Sequence, residues 1–350
     1  MTGSSGVLRL TARWVPPGAL KPFGRPVALV FHGVVRRIED ARIEVNQHTA
    51  DDFAALAKIL KAEFDVLPLD ALEDVLGRPE RYPNAVFLTA DDGYKSMLTV
   101  AADILDGLQL PWSLFVSTRH IDSGEPNPLF LARLFFYFAP AGRHGVPNFP
   151  EAVTLGEDRA AIASAGIAHL KTLEAGKARE AIAVMTSAIA DARMKELMEG
   201  FQSERFLSWP EVAALAARGV EIGAHACWHW PMNAAQPHEL LAREARVARN
   251  SVAQCVGRCR YFAYPFGNAR DVTASAWRAV RDAGYSYAFT TMSATLDASS
   301  NAWLLPRYAL RPQERNLPSL LPMLRAGNPR LAYWQRELAR RPPEHLSLPK

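Results

Sequence analysis

Residues 84–93, NAVFLTADDG, carry the clearest indication of fold class in this chain of 350 residues. Its apolar run predicts a buried strand over residues 84–89. Asp91, Asp92 and Gly93 then predict a turn, because Asp and Gly favour turn conformations. Folds built from parallel strands place their active sites just after the C-terminal ends of those strands. The stretch therefore predicts a buried parallel strand that ends at a polar site.

Strand and helix patterns alternate on both sides of this stretch. Residues 26–35, PVALVFHGVV, form another apolar run, and residues 49–64 put their apolar side chains on one helical face. A helix over residues 208–218 begins with a capping box of Ser208 and Glu211. Because the alternation covers most of the length and no Gly-rich phosphate loop follows the first strand, we expect an α/β fold in the form of a (β/α) barrel. The other predicted strands are residues 65–69, 111–117, 220–224, 260–264, 285–290 and 304–310, and the other predicted helices are residues 72–76, 96–108, 239–253 and 274–283.

Residues 123–205 interrupt this alternation with a helical pattern. Aromatic side chains cluster at residues 135–138, and alanine-rich helices are predicted over residues 158–173 and 177–190. We interpret the segment as a helical insertion on one side of the barrel, in which the aromatic cluster serves packing rather than ligand contact. The predicted domains are an N-terminal extension over residues 1–25, the barrel over residues 26–316 with this insertion, and a basic C-terminal tail over residues 317–350.

Composition and charge limit the functional classes. The formal net charge is +4 and the pI is about 9.0, with much of the positive excess in the C-terminal tail. Such a tail can hold a protein near an anionic membrane surface or an acidic glycan, although a solvated helix face explains the same charge. Nucleic acid is not indicated, because basic and aromatic residues do not interleave and no binding motif is present. The sequence indicates no particular oligomeric state.

Neither a membrane span nor a disulfide framework is indicated. No stretch approaches the roughly 20 consecutive apolar residues that cross a bilayer. Residues 1–26 lack the basic start and apolar run of a signal peptide, so we expect a cytoplasmic protein, with peripheral membrane association as the alternative. The three cysteines, Cys227, Cys255 and Cys259, fit buried thiols better than disulfides or a zinc ribbon.

Two segments at strand ends carry residues suited to metal-dependent hydrolysis. Side chains alternate along a strand, so one of the adjacent Asp91 and Asp92 can bind a cation while the other faces a substrate; a helix-capping turn is the alternative. His225 and His229 follow another predicted strand, and imidazoles four residues apart meet on one face of a helical turn. With an Asp they form a three-ligand set that leaves positions for water and substrate. The other Asp would then take the proton of the attacking water.

Together these segments resemble the motifs of the NodB-type polysaccharide deacetylases, carbohydrate esterase family 4. The similar segments are LTADDGY (88–94) for the first motif, GVEIGAHACWH (219–229) for the second, RYFAYPFGN (260–268) for the third, and AGYSYAFTT (283–291) with LLPRYAL (304–310) for the late portion. The resemblance covers residues 26–120 and 206–311. It implies a distorted (β/α)7 barrel, in which Asp91 is the catalytic base and Asp92, His225 and His229 bind the metal. Zn²⁺ is the first choice of metal, and Co²⁺, Ni²⁺ and Mn²⁺ are alternatives.

Two departures from the family pattern concern the catalytic residues. Many members carry an Arg in the third motif that orients the base, whereas this chain has Ala263 there; Arg307, in the LLPR segment, can supply the charge from a neighbouring strand. Members also place a His late in the domain, which this chain lacks. The early VFHGV segment resembles the exopolysaccharide branch, which includes the poly-N-acetylglucosamine deacetylases and in which the motif order is permuted. His32 is therefore the candidate general acid, and a structural buried histidine is the alternative.

The third motif also supplies candidate substrate contacts. Tyr264 and Phe266 are expected to line the site, and the turn of Pro265, Phe266 and Gly267 to donate a backbone N–H to the developing oxyanion. Trp228, between the two histidines, is a candidate for stacking on a sugar face.

The expected function is the removal of N-acetyl groups from an amino sugar in a polysaccharide, an oligosaccharide or a lipid-linked glycan precursor. A deformylase or another amidohydrolase acting on a related sugar or a cyclic amide is the nearest alternative. A carbohydrate-binding protein without activity is less favoured, because the base, three ligands and a candidate acid are all present. A scaffold built on the helical insertion would require a large apolar face there.

Overall fold

The computed structural model describes residues 25–312, and a sheet of parallel strands forms their core. The predicted N-terminal extension, apart from Arg25, and the predicted C-terminal tail lie outside these residues. The strands are β1 (Val27–Phe31), β2 (Gly33–Val35), β3 (Gln47–Thr49), β4 (Asp65–Val66), β5 (Ala85–Ala90), β6 (Ser113–Val116), β7 (Gly142–His144), β8 (Val153–Leu155), β9 (Glu221–Ala224), β10 (Tyr261–Ala263), β11 (Tyr287–Phe289) and β12 (Tyr308–Ala309).

Seven of these strands follow one another around the main sheet in the order β11-β10-β9-β6-β5-β1-β12, and β4 pairs with the start of β5. Every pairing in this sheet is parallel. The segment before β12 also pairs with β11, since the Leu305 N–H donates to the Ala288 carbonyl and the Thr290 N–H donates to the Leu305 carbonyl, each at 2.8 Å. This contact joins the two edges of the sheet. The predicted distorted (β/α) barrel of about seven strands is confirmed.

Side chains of the strands alternate between two apolar layers, as the pleat requires. Leu88 packs in the layer between the sheet and the surrounding helices, whereas Phe87 lies in a separate cluster with Phe115 and Phe289. The rings of Phe115 and Phe289 are 5.6 Å apart although their strands are not neighbours in the sheet, so this cluster fills the barrel interior. Burial on both faces explains why β5 reads as a continuous apolar run.

The helices surround the sheet, and several of them begin at side-chain caps. The hydroxyl of Thr49 accepts from the Asp52 N–H, and Ser208 and Glu211 form the predicted capping box. The helices are α1 (Ala50–Glu63), α2 (Leu72–Gly77), α3 (Ala102–Gly107, preceded by a π-helical turn over Met97–Ala101), α4 (Thr118–Ser123), α5 (Pro128–Phe138), α6 (Arg159–Leu170), α7 (Ala175–Ser187), α8 (Asp191–Gly200), α9 (Trp209–Ala217), α10 (His238–Val256) and α11 (Ala274–Asp282). Among the described residues, none of these helices is long and apolar enough to cross a membrane.

The segment between β6 and β9 packs around a core of its own. Phe135 and Phe136 on α5 are buried there, against residues of α6 and α7. The prediction of a purely helical insertion was incomplete, because β7 and β8 form an antiparallel hairpin between α5 and α6. The segment returns to the barrel at Arg205, whose carbonyl accepts from the Lys95 N–H at 2.7 Å, and the Trp230 indole donates to the Leu173 carbonyl at 3.2 Å. It therefore rests on the loops that follow β5 and β9.

The first predicted strand is divided in two. His32 interrupts it, so that β1 belongs to the barrel while β2 pairs with β3 in a small separate sheet. The prediction of one continuous strand over residues 26–35 was therefore wrong in its extent. The break leaves His32 at the C-terminal end of β1, next to β5 and the two carboxylates that follow it.

Candidate metal centre and catalytic site

Asp91 and Asp92 diverge because the chain turns sharply at the end of β5. The Asp91 N–H still pairs with the Phe31 carbonyl at 3.1 Å, but Asp92 has a φ of 76° and Gly93 a φ of 91°. A side chain at Gly93 would place its Cβ 3.1 Å from a methyl group of Val116, so both backbone and space require glycine there. The two carboxylates consequently point to different neighbours, and both are buried.

The loop 225–229 brings the two histidines together, but it is not the helical turn that the spacing predicted. No helix covers these residues, and Ala226 and His229 have φ values of 58° and 50°. The two left-handed residues turn both imidazoles to the same side, with ring centroids 4.9 Å apart. Residue spacing alone could not distinguish this loop from a helical turn, because both place positions i and i+4 close together.

Asp92, His225 and His229 form a buried set of metal-ligand atoms, all within 4.8 Å of one another. Oδ1 of Asp92 lies 2.9 Å from Nε2 of His229 and 3.4 Å from Nε2 of His225. Among the described residues, no donor with satisfactory hydrogen-bond geometry reaches either oxygen of Asp92, although both oxygens are buried. A buried carboxylate without donors is unfavourable unless a cation or another partner compensates it. One carboxylate and two imidazoles are a donor set that suits a divalent cation, and these residues could hold one.

Charges near the triad keep its carboxylate ionised. Burial raises the pKa of Asp92, but the charge of His229 and the close approach of the His225 imidazole outweigh it and hold that pKa well below its ordinary value. Burial lowers the pKa of His225, and the charges of Asp91 and Asp92 more than reverse this effect. The site therefore favours a carboxylate anion at Asp92.

Each imidazole is oriented from its other nitrogen. Nδ1 of His225 lies 2.8 Å from the carbonyl oxygen of Ala263, which leaves Nε2 directed at the carboxylates. Nδ1 of His229 lies 3.1 Å from Nδ2 of Asn127, whose Oδ1 caps α5 by accepting from the Leu129 N–H. Asn127 was not predicted as a site residue, because its only local signal is an Asn-Pro pair typical of a helix start.

Arg307 lies against Asp91. Its guanidinium donates to both oxygens of Asp91, at 2.8 and 2.7 Å, and is fully buried. The same side chain donates to the hydroxyl of Thr89 and the carbonyl of Thr290, each at 3.0 Å. Burial raises the pKa of Asp91, but the charge of Arg307 outweighs it and holds the pKa below its ordinary value. Asp91 is therefore an anion held in a single orientation.

His32 shares the neighbourhood of both carboxylates. Burial lowers the pKa of its imidazole, and the charges of Asp92 and Asp91 act in the opposite direction. Its position in the break between β1 and β2 brings it near the same barrel end as Asp91. Its role as general acid stays a prediction.

The third-motif residues divide between the site and the core. Phe266 has a φ of 60°, and its ring centroid lies 4.8 Å from that of His229, so it forms a wall of the site. The side chain of Tyr264 does not line the site as predicted. It is fully buried in the layer beneath the helices, and its hydroxyl donates to the Trp303 carbonyl at 3.0 Å. The side chain points away because it is one pleat position removed from the site-facing residues.

The turn after Tyr264 is closed by its own backbone bonds. The Gly267 N–H donates to the Pro265 carbonyl at 2.7 Å, and the Thr291 hydroxyl donates to the Phe266 carbonyl. A Cβ on Gly267 would lie 2.8 Å from the Thr291 nitrogen, so this position requires glycine. The N–H of Gly267 is thus occupied, and a contact of this turn with an oxyanion stays a prediction.

Trp228 is engaged by two cationic side chains. The guanidinium carbons of Arg119 and Arg179 lie 5.0 and 4.6 Å from its ring centroid. Cation–π contacts of this kind hold the indole between α4 and α7. Stacking of Trp228 on a sugar stays a prediction, and these contacts would have to leave a face free for it.

Comparisons with known proteins agree with this geometry. The model of the polysaccharide deacetylase family matches residues 160–288, a stretch that contains His225, His229 and Phe266 but not Asp91 or Asp92. A comparison with curated proteins finds no match. The predicted resemblance to the polysaccharide deacetylases, hydrolases that act on amide bonds of carbohydrates, is confirmed by this match over residues 160–288.

Solved structures of low sequence identity share the fold. The deacetylase PplD of Streptococcus pyogenes superposes with a TM-score of 0.56 at 14% identity, covering 85% of this chain and 97% of that one. A de-N-acetylase from Aggregatibacter actinomycetemcomitans gives 0.53 at 14% identity, with 86% and 100% covered. IcaB from Ammonifex degensii gives 0.51 at 16% identity, with 86% and 97% covered. At these identities the likeness is evidence for the fold alone.

Proposed function

We propose that this protein removes N-acetyl groups from an amino sugar carried by a polysaccharide, an oligosaccharide or a lipid-linked glycan precursor, with a divalent cation held by Asp92, His225 and His229. One observation carries the proposal: Asp91, kept anionic by a fully buried Arg307, lies beside Asp92, whose buried oxygens have no hydrogen-bond donor of good geometry among the described residues. A base and a cation site are thus adjacent, as amide hydrolysis requires.

The donor set supports zinc as the ion. Two imidazole nitrogens and one carboxylate oxygen are typical of catalytic zinc sites, and Co²⁺, Ni²⁺ and Mn²⁺ accept the same donors. When bound, the cation polarises the amide carbonyl and makes the attacking water more acidic. Nδ1 of His225 donates to the Ala263 carbonyl, which leaves Nε2 of that ring free to bind the cation.

Side chains of the protein transfer the protons. A water oxygen bonds to the acyl carbon while Asp91 takes the proton that this water releases. The C–N bond then breaks, acetate leaves, and His32 gives a proton to the departing sugar amine. Arg307 holds Asp91 by two hydrogen bonds, so the base meets the water without rearranging. Phe266 shields the His229 side of the site from solvent.

Metal content and amide hydrolysis test the proposal together. We would measure bound zinc and the release of acetate from N-acetylated sugar oligomers for the wild type, Asp91→Asn and Asp92→Ala. We expect Asp91→Asn to retain zinc but lose activity, and Asp92→Ala to lose both. Asp271→Asn is a matched control, because Asp271 is also a buried carboxylate but pairs with Lys171 instead.

Two results would contradict the proposal. If the wild-type protein binds no zinc at this triad, the metal-dependent part of the proposal is wrong. Full activity of zinc-loaded Asp91→Asn would show that another group takes the proton.

A further inference from the structure

Glu244 on α10 is a buried carboxylate that the proposed chemistry does not use. It is 8% exposed, and its Oε2 accepts from two successive backbone amides, the Cys227 N–H at 2.8 Å and the Trp228 N–H at 3.1 Å. Both amides belong to the middle of loop 225–229.

The loop needs support of this kind. Ala226 and His229 have left-handed φ values of 58° and 50°, which residues other than glycine adopt only at a cost in free energy. Such conformations persist when the surroundings hold them. If the loop relaxed to ordinary φ values, the two imidazoles would no longer face Asp92 from the same side.

The loop's backbone groups are divided between two helices. Its carbonyls at Ala226 and Cys227 accept from the first N–H groups of α4, those of Thr118 and Arg119, at 3.2 and 3.1 Å. Among residues 25–312, its N–H groups at Cys227 and Trp228 donate to Glu244 alone. Because α4 supplies only donors, no other described group replaces the acceptor that Glu244 provides.

The insertion reaches the same carboxylate. The charge of Arg179 on α7 acts on Glu244, and the Arg179 guanidinium lies 4.6 Å from the ring centroid of Trp228. The side chain therefore sits where the insertion, α10 and the histidine loop meet.

We propose that Glu244 is a positioning residue of the metal centre, which holds loop 225–229 in the conformation that turns both histidines toward Asp92. The proposal rests on the proposed function, since it presupposes that the triad binds a cation. It predicts that metal affinity depends on an acceptor oxygen at this point in space, rather than on the negative charge of Glu244.

Zinc affinity of four variants tests this. Glu244→Gln keeps an oxygen at the same distance without the charge, whereas Glu244→Asp keeps the charge but withdraws the oxygen by one methylene. Val252→Ala, at a fully buried position of the same helix, lowers stability without touching the loop. We expect Glu244→Ala and Glu244→Asp to weaken zinc binding about 10- to 100-fold, as losses behind a metal ligand do. Glu244→Gln should stay within about threefold of the wild type, and Val252→Ala should bind zinc normally while its unfolding temperature falls.

The dissociation constant for Zn²⁺ is measured by competition with a chelator, and unfolding temperatures are recorded for the same samples. A wild type that binds no zinc would overturn the proposed function. A wild type and Glu244→Asp that bind zinc equally well would overturn the role of Glu244 and leave the proposed function intact. If Glu244→Gln loses as much affinity as Glu244→Asp, charge rather than position matters, and the inference is wrong. The Gln and Asp variants decide the question even if Glu244→Ala does not fold.

Discussion

Replacing Arg307 by methionine tests how the barrel holds its candidate base. The guanidinium makes two hydrogen bonds to Asp91, at 2.8 and 2.7 Å, and one each to Thr89 and Thr290 at 3.0 Å. Arg307 is fully buried and Asp91 is 1% exposed, so water cannot take over these contacts. Methionine keeps an unbranched side chain in the space but leaves Asp91 without a countercharge.

The expected loss follows from that burial. Removing one partner of a buried ion pair costs about 3–5 kcal/mol, because the remaining charge is uncompensated. Asp91→Asn also destabilises, since it leaves Arg307 without its anion. The double variant contains neither charge, so we expect it to be more stable than the sum of the single changes by about 2 kcal/mol or more.

Urea unfolding of the wild type, both single variants and the double variant measures this coupling from midpoints and slopes. Arg258→Met is the control, because Arg258 is half exposed and its ion pairs with Asp70 and Glu221 lie at the surface. It should cost no more than about 1 kcal/mol. In acetate-release assays, Arg307→Met should also lower the catalytic rate roughly 100-fold by misplacing the base.

Additivity would refute this reasoning. If the single changes sum to the double variant within about 0.5 kcal/mol, Arg307 and Asp91 are not coupled in the folded protein. An Arg307→Met variant that loses less than about 1 kcal/mol, like the surface control, would lead to the same conclusion.

Three further predictions concern other parts of the site. His32→Gln should lower the catalytic rate roughly 10²- to 10⁴-fold with zinc content unchanged, and near wild-type turnover would exclude the acid role. Burial raises the pKa of Glu204 from its ordinary value of 4.5 to about 7, so the folded protein retains a proton there that the unfolded chain releases, and stability falls as pH rises between those values. Glu204→Gln should therefore be more stable than the wild type by about 3 kcal/mol at pH 8 and by little near pH 4.5 in urea unfolding; an equal gain at both pH values would contradict this. Free Zn²⁺ at 100 times its dissociation constant should stabilise the chelator-treated protein by about 2.7 kcal/mol, and Asp92→Ala should show no such gain in calorimetry.

Much of the fold could be predicted from the sequence because its signals are local. The apolar run of β5 and the capping box at Ser208 and Glu211 each depend on a few consecutive residues, and both were recovered. Resemblance to the motifs of a known family grouped Asp91, Asp92, His225 and His229, which the structure brings together at one end of the barrel.

Errors arose where local patterns have more than one structural solution. An i, i+4 pair of histidines suits a helical turn as well as a loop with two left-handed residues. In the structure the loop forms, with hydrogen bonds to α4 and Glu244. Likewise, nothing in the apolar run of residues 26–35 reveals that the chain leaves the barrel at His32.

The alternation of strands and helices and the helix starts follow from the sequence, because hydrophobic periodicity and capping act over short distances along the chain. Three contacts of the site depend on the tertiary structure. The guanidinium of Arg307 donates to Asp91, 216 positions earlier in the sequence, the Ala263 carbonyl orients His225, and Asn127 contacts His229. These contacts exist only once the barrel closes and the insertion docks on it. Side chains far apart in sequence acquire a fixed distance only when packing positions the elements that carry them.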